Sequence, residues 1–503
     1  MPALLALSPI LLILGLMIGL RQSAALAGLA GLALTLAIAL GPFGYGRVTL
    51  AGIGPSLAVT GAFAEALFTA VTILWIIFPA LCIYELQLRS GAFDLLREAL
   101  TRLSNDRRML AILAAWFFAL FLEGAAGFGT PVALAAPILV GLGFSPVRAL
   151  TLVLIGHAAG VSFGAIGTPV LPQIAATGLT GLELARATAL LHGTLGWILL
   201  AFMFRLAGDG ADGAQRASGW ARAAAAAGLF LLPFMALAYF AGPELPTIGG
   251  ALIGGLAFVA MLRRQGGHGS DAAPTSGVIA LVRAGLPYLV LLTLILLTRL
   301  VPSLQEALRT LDWSWTLPGG FAGGIQPLYH PGTMLMIGFV GGALLQGRGA
   351  GEIGGAALRA AGRLPQVILA LTAMLALARL MVHAGMIEAL SGAAAGTFGG
   401  AWPFVAPAVG VLGTFVTGSA TASNILLTDF QAATAQALGL PVLGMAAAQS
   451  FGAAVGNIVC PHNIVAGAAT VGLVGREGEI LRHTIAACVV YAAAGGVLVF
   501  LLA

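Results

Sequence analysis

Apolar runs separated by short polar breaks fill most of the chain. They lie near 3–20, 23–40, 62–86, 109–122, 130–143, 147–163, 186–206, 222–241, 247–262, 278–301, 333–346, 364–384, 402–416, 440–456 and 484–502. A membrane-crossing helix needs about 20 mostly apolar residues, so the pattern predicts an all-α polytopic protein with about 12–14 transmembrane helices. Strand-length alternation, the mark of an outer-membrane barrel, is not the pattern here. The runs 109–122 with 130–143, and 402–416 with the segment after it, are too short to cross alone. They flank Gly-rich or Ser/Thr-rich breaks. Irregular backbone survives at membrane depth only where it lines a cavity or is buried in protein, so these pairs predict re-entrant hairpins or broken helices. Residues 303–332, with Trp313, Trp315, Pro318, Tyr329 and Pro331, read as a membrane-surface loop or interfacial helix. The first two runs read as two spanning helices rather than a cleaved leader, because no basic region precedes the first.

Part of the pattern occurs twice. Ser162-Phe163-Gly164-Ala165-Ile166-Gly167, followed by Pro172-Gln173-Ile174, corresponds to Ser450-Phe451-Gly452-Ala453-Ala454-Val455-Gly456, followed by Pro461-His462-Asn463-Ile464. Upstream of the first copy stands Glu123-Gly124-Ala125-Ala126-Gly127-Phe128-Gly129-Thr130-Pro131. Upstream of the second stands Thr417-Gly418-Ser419-Ala420-Thr421-Ala422-Ser423-Asn424. Repeated halves with interrupted apolar segments at matching places mark secondary transporters, and the interruptions point to the binding site. The expected organisation is an N-terminal half, 1–262, with its hairpin and broken helix at 109–180. A central loop, helix and interfacial segment follows at 263–332. The C-terminal half is 333–503, with its hairpin and broken helix at 402–475.

Composition strengthens the membrane reading. Of 503 residues, 59% are hydrophobic and 8% charged, against about 25% charged in soluble domains. All the basic side chains are Arg, and they collect between runs: Arg89, Arg97, Arg102, Arg107 and Arg108; Arg205, Arg216 and Arg222; Arg263, Arg264 and Arg283; Arg348, Arg359 and Arg363. That placement reads as cytoplasmic loops under the positive-inside rule, and it assigns the net charge of +5 to topology rather than to nucleic acid. The partners it implies are membrane lipids. Cys82, Cys460 and Cys488 lack metal-ligand spacing and read as unpaired buried thiols. No Walker loop, paired CxxC or Ser–His–Asp set appears, so neither an enzyme nor a metal or cofactor site is expected.

The candidate chemistry sits at the breaks. Half-helix N-termini offer free backbone N–H groups and a favourable dipole to a small carboxylate anion. Gly124, Ala125, Gly127, Phe128, Gly129 and Thr130 form one candidate wall, with Pro131 suited to a first helical turn. Thr417, Gly418, Ser419, Thr421, Ser423 and Asn424 form the other, and Arg379, inside an apolar run, could clamp a carboxylate. Close helix packing by small residues is the alternative for either cluster. Glu123 is an intramembrane carboxyl and by default a functional candidate. His157 and His462 could titrate near neutrality. Each has a structural alternative: a cap or Arg pairing for Glu123, a salt bridge or snorkelling for Arg379, a satisfied helix histidine for the other two.

Phe121-Leu122-Glu123-Gly124-Ala125-Ala126-Gly127-Phe128-Gly129-Thr130-Pro131-Val132, Phe163 to Pro169, Ala378-Arg379-Leu380-Met381, Thr417-Gly418-Ser419 and Val471 to Glu477 resemble the bacterial L-lactate permease family. The likeness runs from about residue 60 to the end. It implies proton-coupled uptake of L-lactate, D-lactate or glycolate across the bacterial inner membrane. It also implies an ion-transporter-like fold of two inverted repeats with re-entrant hairpins, an elevator motion and a homodimer. The family pattern expected after Thr417 is Gly-Ser-Asp-Thr-Ser-Ser-Asn, where this chain has Ala420 and Ala422. Ser-Pro-Gln-Ser is expected where it has Cys460-Pro461-His462-Asn463. With that carboxylate missing, His462 or Asp429 is expected to take over part of the acidic role. A sodium-coupled di- or tricarboxylate carrier is the alternative reading. A proton-translocating respiratory subunit fits less well, since the Lys relays it needs are absent.

Overall fold

The computed structural model describes every residue except 1, 17–19, 21, 51, 93–94, 96–97, 99–105, 128, 209–212, 265–277 and 474–475. The expectations placed on Arg97, Arg102, Phe128, Val474, Gly475 and the loop 265–271 lie outside the described residues, as does the side chain of Arg216.

The helices of the first half are α1 (Pro2–Leu14), α2 (Ala24–Leu40), α3 (Gly54–Arg89), α4 (Arg107–Ala125), α5 (Thr130–Gly141), α6 (Pro146–Gly156), α7 (Leu171–Thr177), α8 (Gly181–Ala207), α9 (Gly213–Phe240) and α10 (Pro246–Arg264). In the middle lie α11 (Val278–Leu300), α12 (Pro302–Arg309) and the strands β1 (Trp313–Leu317) and β2 (Phe321–Ile325). The remainder comprises α13 (Pro331–Leu345), α14 (Ala350–His383), α15 (Met386–Phe398), α16 (Trp402–Thr417), α17 (Ala420–Leu438), α18 (Val442–Gly456), α19 (Pro461–Thr470) and α20 (Glu477–Leu502).

Among the described residues, eleven helical stretches are long and apolar enough to cross a membrane, and four shorter apolar helices accompany them. The two N-terminal runs, expected to span, are among the shorter ones. Ser23 caps α2 by accepting from Leu26 N at 3.3 Å, which divides the apolar stretch into helices of 13 and 17 residues. The interfacial segment differs from expectation too. After α12 it forms an antiparallel hairpin, Trp313 opposite Ile325 and Leu317 opposite Phe321, joined through Gly319 and Gly320 at φ 96° and 84°. Alternation in Trp313-Ser314-Trp315-Thr316 is the strand signal.

Long helices α3 and α14 run antiparallel. Glu85, near the end of α3, meets Arg363 at 2.5 Å and Arg359 at 3.5 Å early in α14, whereas Glu65, early in α3, meets His383 at the end of α14 at 2.7 Å. The two ends of this pair define two sides of the molecule. The arginine side also holds Arg283 on Gln346 O (2.7 Å). The hairpin side holds β1–β2. Phe321 of β2 is fully buried against Gly61 and edge-on to the His383 ring at 4.8 Å. Removing a buried Phe side chain costs about 3–5 kcal/mol. Phe321→Ala is therefore expected to lower the thermal midpoint of the detergent-solubilised protein clearly, and an unshifted melting curve would show that the hairpin contributes no stability.

Packing divides the helices into two groups, each drawing on both halves of the sequence. Helices α2, α3 and α14 pack together, with α13 on α3 and α11 on α13. Helices α4–α10 pack among themselves and against α18 and α20, and α16 packs on α18 and α20 in turn. Helix α17 touches both groups, lying against α16 and α18 on one side and α14 and α15 on the other.

The hairpins enter from opposite sides. Arg107 at the start of α4 donates to Gly143 O just after α5 (2.5 Å), and Arg222 of α9 lies 3.6 Å from Asp106. The α4–α5 hairpin therefore opens and closes among the arginine-rich ends. Helix α17 carries Asp429, on which the charges of Glu65 and His383 act, so the α16–α17 hairpin is rooted towards the β-hairpin side. This is the inverted pair of re-entrant elements that the repeat predicts.

Candidate functional site

Short helices decide where the backbone is interrupted. At about 1.5 Å per residue, the 12 residues of α5 and the 10 of α19 cover about 18 and 15 Å, half of an apolar layer about 30 Å thick. Four breaks result, and they face one another.

In the first, α4 leaves helical geometry at Ala126 and turns through Gly127 (φ 57°) and Gly129 (φ 79°). Only glycine adopts such backbone without strain. A π-helical stretch, Leu113–Phe118, precedes it in α4, a distortion frequent near functional sites. In the second, α16 ends at Gly418 (φ 78°) and Ser419 caps α17. The third follows α6, where a 3₁₀ stretch, His157–Phe163, leads to Ala165 (φ 42°), Ile166 (φ 56°) and Gly167 (φ 76°). Left-handed backbone at two residues with side chains costs about 1–3 kcal/mol each and clusters at functional sites. The fourth is the turn Asn457–Val459 between α18 and α19.

A Cβ built on Gly129 would stand 3.3 Å from Asn463 Oδ1, and one on Gly418 would stand 3.1 Å from His462 Cβ. Both hairpin tips thus reach the first turn of α19. A Cβ on Gly127 would lie 3.2 Å from Ala165 Cβ and 3.4 Å from Glu123 Oε1, while Gly164 sits directly against the Glu123 carboxyl. Asn424 Nδ2 donates to Pro169 O at 2.9 Å. The N-termini of α5, α17 and α19 therefore converge. His462 is exposed at their meeting point and Gly129, Thr130, Gly418 and Ser419 are half-buried.

The side chains singled out in the sequence take distinct places here. Glu123 is 6% exposed, and among the described residues its carboxyl has no hydrogen-bond or ion-pair partner. Gly124 is a packing position, pressed on the backbone of Ile248 in α10, and Ala125 is buried beside it. Thr130 donates to Gly127 O (2.7 Å) and Thr417 to Gly413 O (2.8 Å), both within their own turns. Thr421 is buried. Ser423 donates to Gly410 O at 3.1 Å; with Asn424 on Pro169, both hold backbone in place. His157 is buried, its Nδ1 2.8 Å from Val153 O one turn back, the geometry of a satisfied helix histidine. Arg379 lies elsewhere, in the wall of a cleft, and Asp429 lies on α17 within reach of its charge.

Three features escaped the sequence reading. Asn463 donates to Asn457 Oδ1 (2.7 Å) and turns its own Oδ1 to Gly129; its place three residues into a repeat motif was the available signal. A buried amide ladder braces the second hairpin. Trp402 donates to Gln431 (3.1 Å), Gln431 to Gln449 (3.2 Å) and Gln449 to Ser423 Oγ (3.1 Å). His192 Nδ1 lies 2.8 Å from Tyr491 Oη and its Nε2 2.9 Å from Ser162 Oγ, which also donates to Ser450 O (3.0 Å). Ser162 and Ser450 are the matched serines of the two motifs, so the two stretches touch at those positions.

The model of the L-lactate permease family matches residues 2–322 and 325–503. The chain belongs to that family. It is 32% identical to an L-lactate permease of Streptococcus iniae, over 77% of this chain and 83% of the relative. It is 29% identical to the glycolate permease GlcA of Escherichia coli, over 99% and 95%. Among solved structures, the YdaH transporter of Alcanivorax borkumensis superposes with a TM-score of 0.50 at 16% identity, covering 88% of this chain and 86% of that one, a likeness of fold alone. The permease is thus a multi-pass protein of the bacterial inner membrane, and the four breaks described above are the interrupted segments of a transporter fold.

Proposed function

We propose that this permease imports a small 2-hydroxy monocarboxylate, lactate and/or glycolate, together with protons by alternating access. The observation that carries the reading is the convergence of three helix N-termini at the exposed His462, beside a buried carboxyl that has no counter-charge among the described residues. The N-termini favour an anion. Backbone at Gly127, Gly129 and Thr130 faces the substrate from one hairpin, and Gly418, Ser419 and Thr421 face it from the other. Thr417, Ser423 and Asn424 hold the second hairpin in position, and Ala125 and Gly124 pack the first.

An ionised Glu123 would repel the anion at short range, so anion and proton bind more easily together than apart. Inward movement of a lone anion works against an inside-negative potential by about 2.3 kcal/mol per 100 mV, and a co-transported proton removes that opposition. Coupling falls to Glu123, with His462 and Asp429 replacing the acidic residue that Ala420 lacks. The two packing groups supply the moving parts, with α4–α10 and α16–α20 carrying the site past α3 and α14. In this reading the two halves remain 1–262 and 333–503, and a homodimer would anchor the static group.

Radiolabelled L-lactate, D-lactate and glycolate uptake into proteoliposomes tests this. Saturable accumulation driven by an inward proton gradient is expected. Accumulation driven by sodium alone would replace the proton, and no saturable uptake under any gradient would remove the carrier reading. Proton-driven uptake unchanged in both His462→Ala and Asp429→Asn would take these two residues out of the coupling.

A further inference from the structure

A cleft of about 890 Å³ opens on the β-hairpin side. Its walls are α3 (Glu65, Phe68, Thr69), the α7 residues Leu171 and Ile174, the strands β1 and β2, and Arg379 of α14. Arg379 is half-buried there. Among the described residues its guanidinium has no hydrogen-bond or ion-pair partner. Three acids line the cleft, Glu65, Glu244 and Asp312, and Glu65, whose carboxyl feels the Arg379 charge, is already engaged. It lies 2.7 Å from His383 Nε2 and accepts from Ala322 N at 3.0 Å.

Asp429 on α17 is also within electrostatic reach of Arg379 and is itself without a hydrogen-bond or ion-pair partner among the described residues. The charged groups acting on Asp429 are Arg379 and His383 from α14, Glu388 from α15 and Glu65 from α3. The other helices packed on α17, namely α7, α16 and α18, contribute no titratable side chain.

We propose that the cleft at Arg379 is a second, outer docking site for the substrate carboxylate, in which Arg379 is shared between that carboxylate and Asp429. The proposal rests on the carboxylate-carrier reading above and adds a place apart from the two hairpin tips at Gly129 and Gly418. Asp429 stands nine residues beyond Ala420, about 13.5 Å along α17. With Glu65, Glu388 and Asp429 ionised, the acids outnumber the cations even when His383 is protonated, and an arriving anion adds to the excess. A proton taken from water onto Asp429 removes one negative charge beside Arg379 and leaves the guanidinium free for a carboxylate. A guanidinium suits this exchange because it stays charged and offers a fork of donors to either acid. Linkage is reciprocal, so anion binding must then raise proton occupancy by the same factor.

The test adds L-lactate to the purified full-length protein in weakly buffered detergent solution containing a pH indicator dye, with binding followed by calorimetry. Wild type is expected to take up close to one proton per bound anion at some pH between 5 and 8. The uptake should fall several-fold in Asp429→Asn and in Arg379→Gln, and Arg379→Lys should recover part of it. Anion binding to wild type without proton uptake, or undiminished uptake in either variant, overturns the proposal. The wild-type arm requires no variant to fold. Absence of lactate and glycolate binding altogether would instead be a failure of the carrier reading.

Discussion

Glu123→Gln is expected to abolish proton-driven accumulation of lactate while exchange of internal for external lactate continues at a reduced rate. The side chain is 6% exposed, touches Gly164 and the Gly127 turn, and has no ion-pair partner among the described residues. Glutamine keeps the shape and the polarity but cannot gain or lose a proton. If the carboxyl's charge is what links anion to proton, its amide leaves a site that still binds and moves substrate without the link. With about 1.4 kcal/mol to every tenfold in concentration, a symporter driven by a pH difference of two units holds about a hundredfold gradient, and the variant should relax to none. Proteoliposomes with acidic exterior and neutral interior measure the two quantities side by side. Accumulation equal to wild type in Glu123→Gln would mean that this carboxyl only packs against the first break.

The second large effect concerns Gly418. Its φ of 78° admits glycine readily, while a side chain in the left-handed region costs about 1–2 kcal/mol and a β-branched one is a genuine outlier. A Cβ there would also come to 3.1 Å from His462 Cβ, narrowing the space where the hairpin tip meets α19. Gly418→Val is therefore expected to lower lactate uptake by more than about tenfold, since backbone strain and obstruction together exceed the 1.4 kcal/mol that a factor of ten requires. Gly439 makes the control. It has a similar φ of 67°, at the end of α17, but open space around its Cβ position. Gly439→Val carries the backbone strain without the obstruction, so it should destabilise the protein and leave the lactate KM close to wild type. Equal loss of transport in both would assign the effect to strain alone.

The amide ladder and the Ser162–His192–Tyr491 contacts give these outcomes their structural setting. Half-helices end in mid-membrane with unsatisfied backbone groups, and each end must find partners. Gln431 and Gln449 brace the body of the second hairpin, on Ala406 O and Ser423 Oγ, and His192 holds the 3₁₀ stretch of the first half through Ser162. None of the three stands out in the sequence, because a lone Gln or His in an apolar run looks the same whether it braces a break or fills a helix interface. Ser423 and Asn424 illustrate the converse. Their residue types suggested direct donors to an anion, but their partners are Gly410 O and Pro169 O, so their part is to hold the backbone of the second hairpin in position.

Membrane embedding, the number of long helices to within a few, the matched breaks and the family were all legible from run length, charge placement and the Glu123–Val132 motif. Each is a local or compositional property, and the apolar environment enforces it one segment at a time. The shortness of α1, the β-hairpin over α3, the opposed entry of the two re-entrant elements and the grouping of α2 and α3 with α14 across the chain depend on which surfaces fit together. So does the separation of Arg379 and Asp429 from the tips that Glu123 and Gly418 occupy. Residues 300 positions apart meet because buried polar groups and small-residue faces admit few arrangements, and that choice is made by the packed whole rather than by any stretch of sequence.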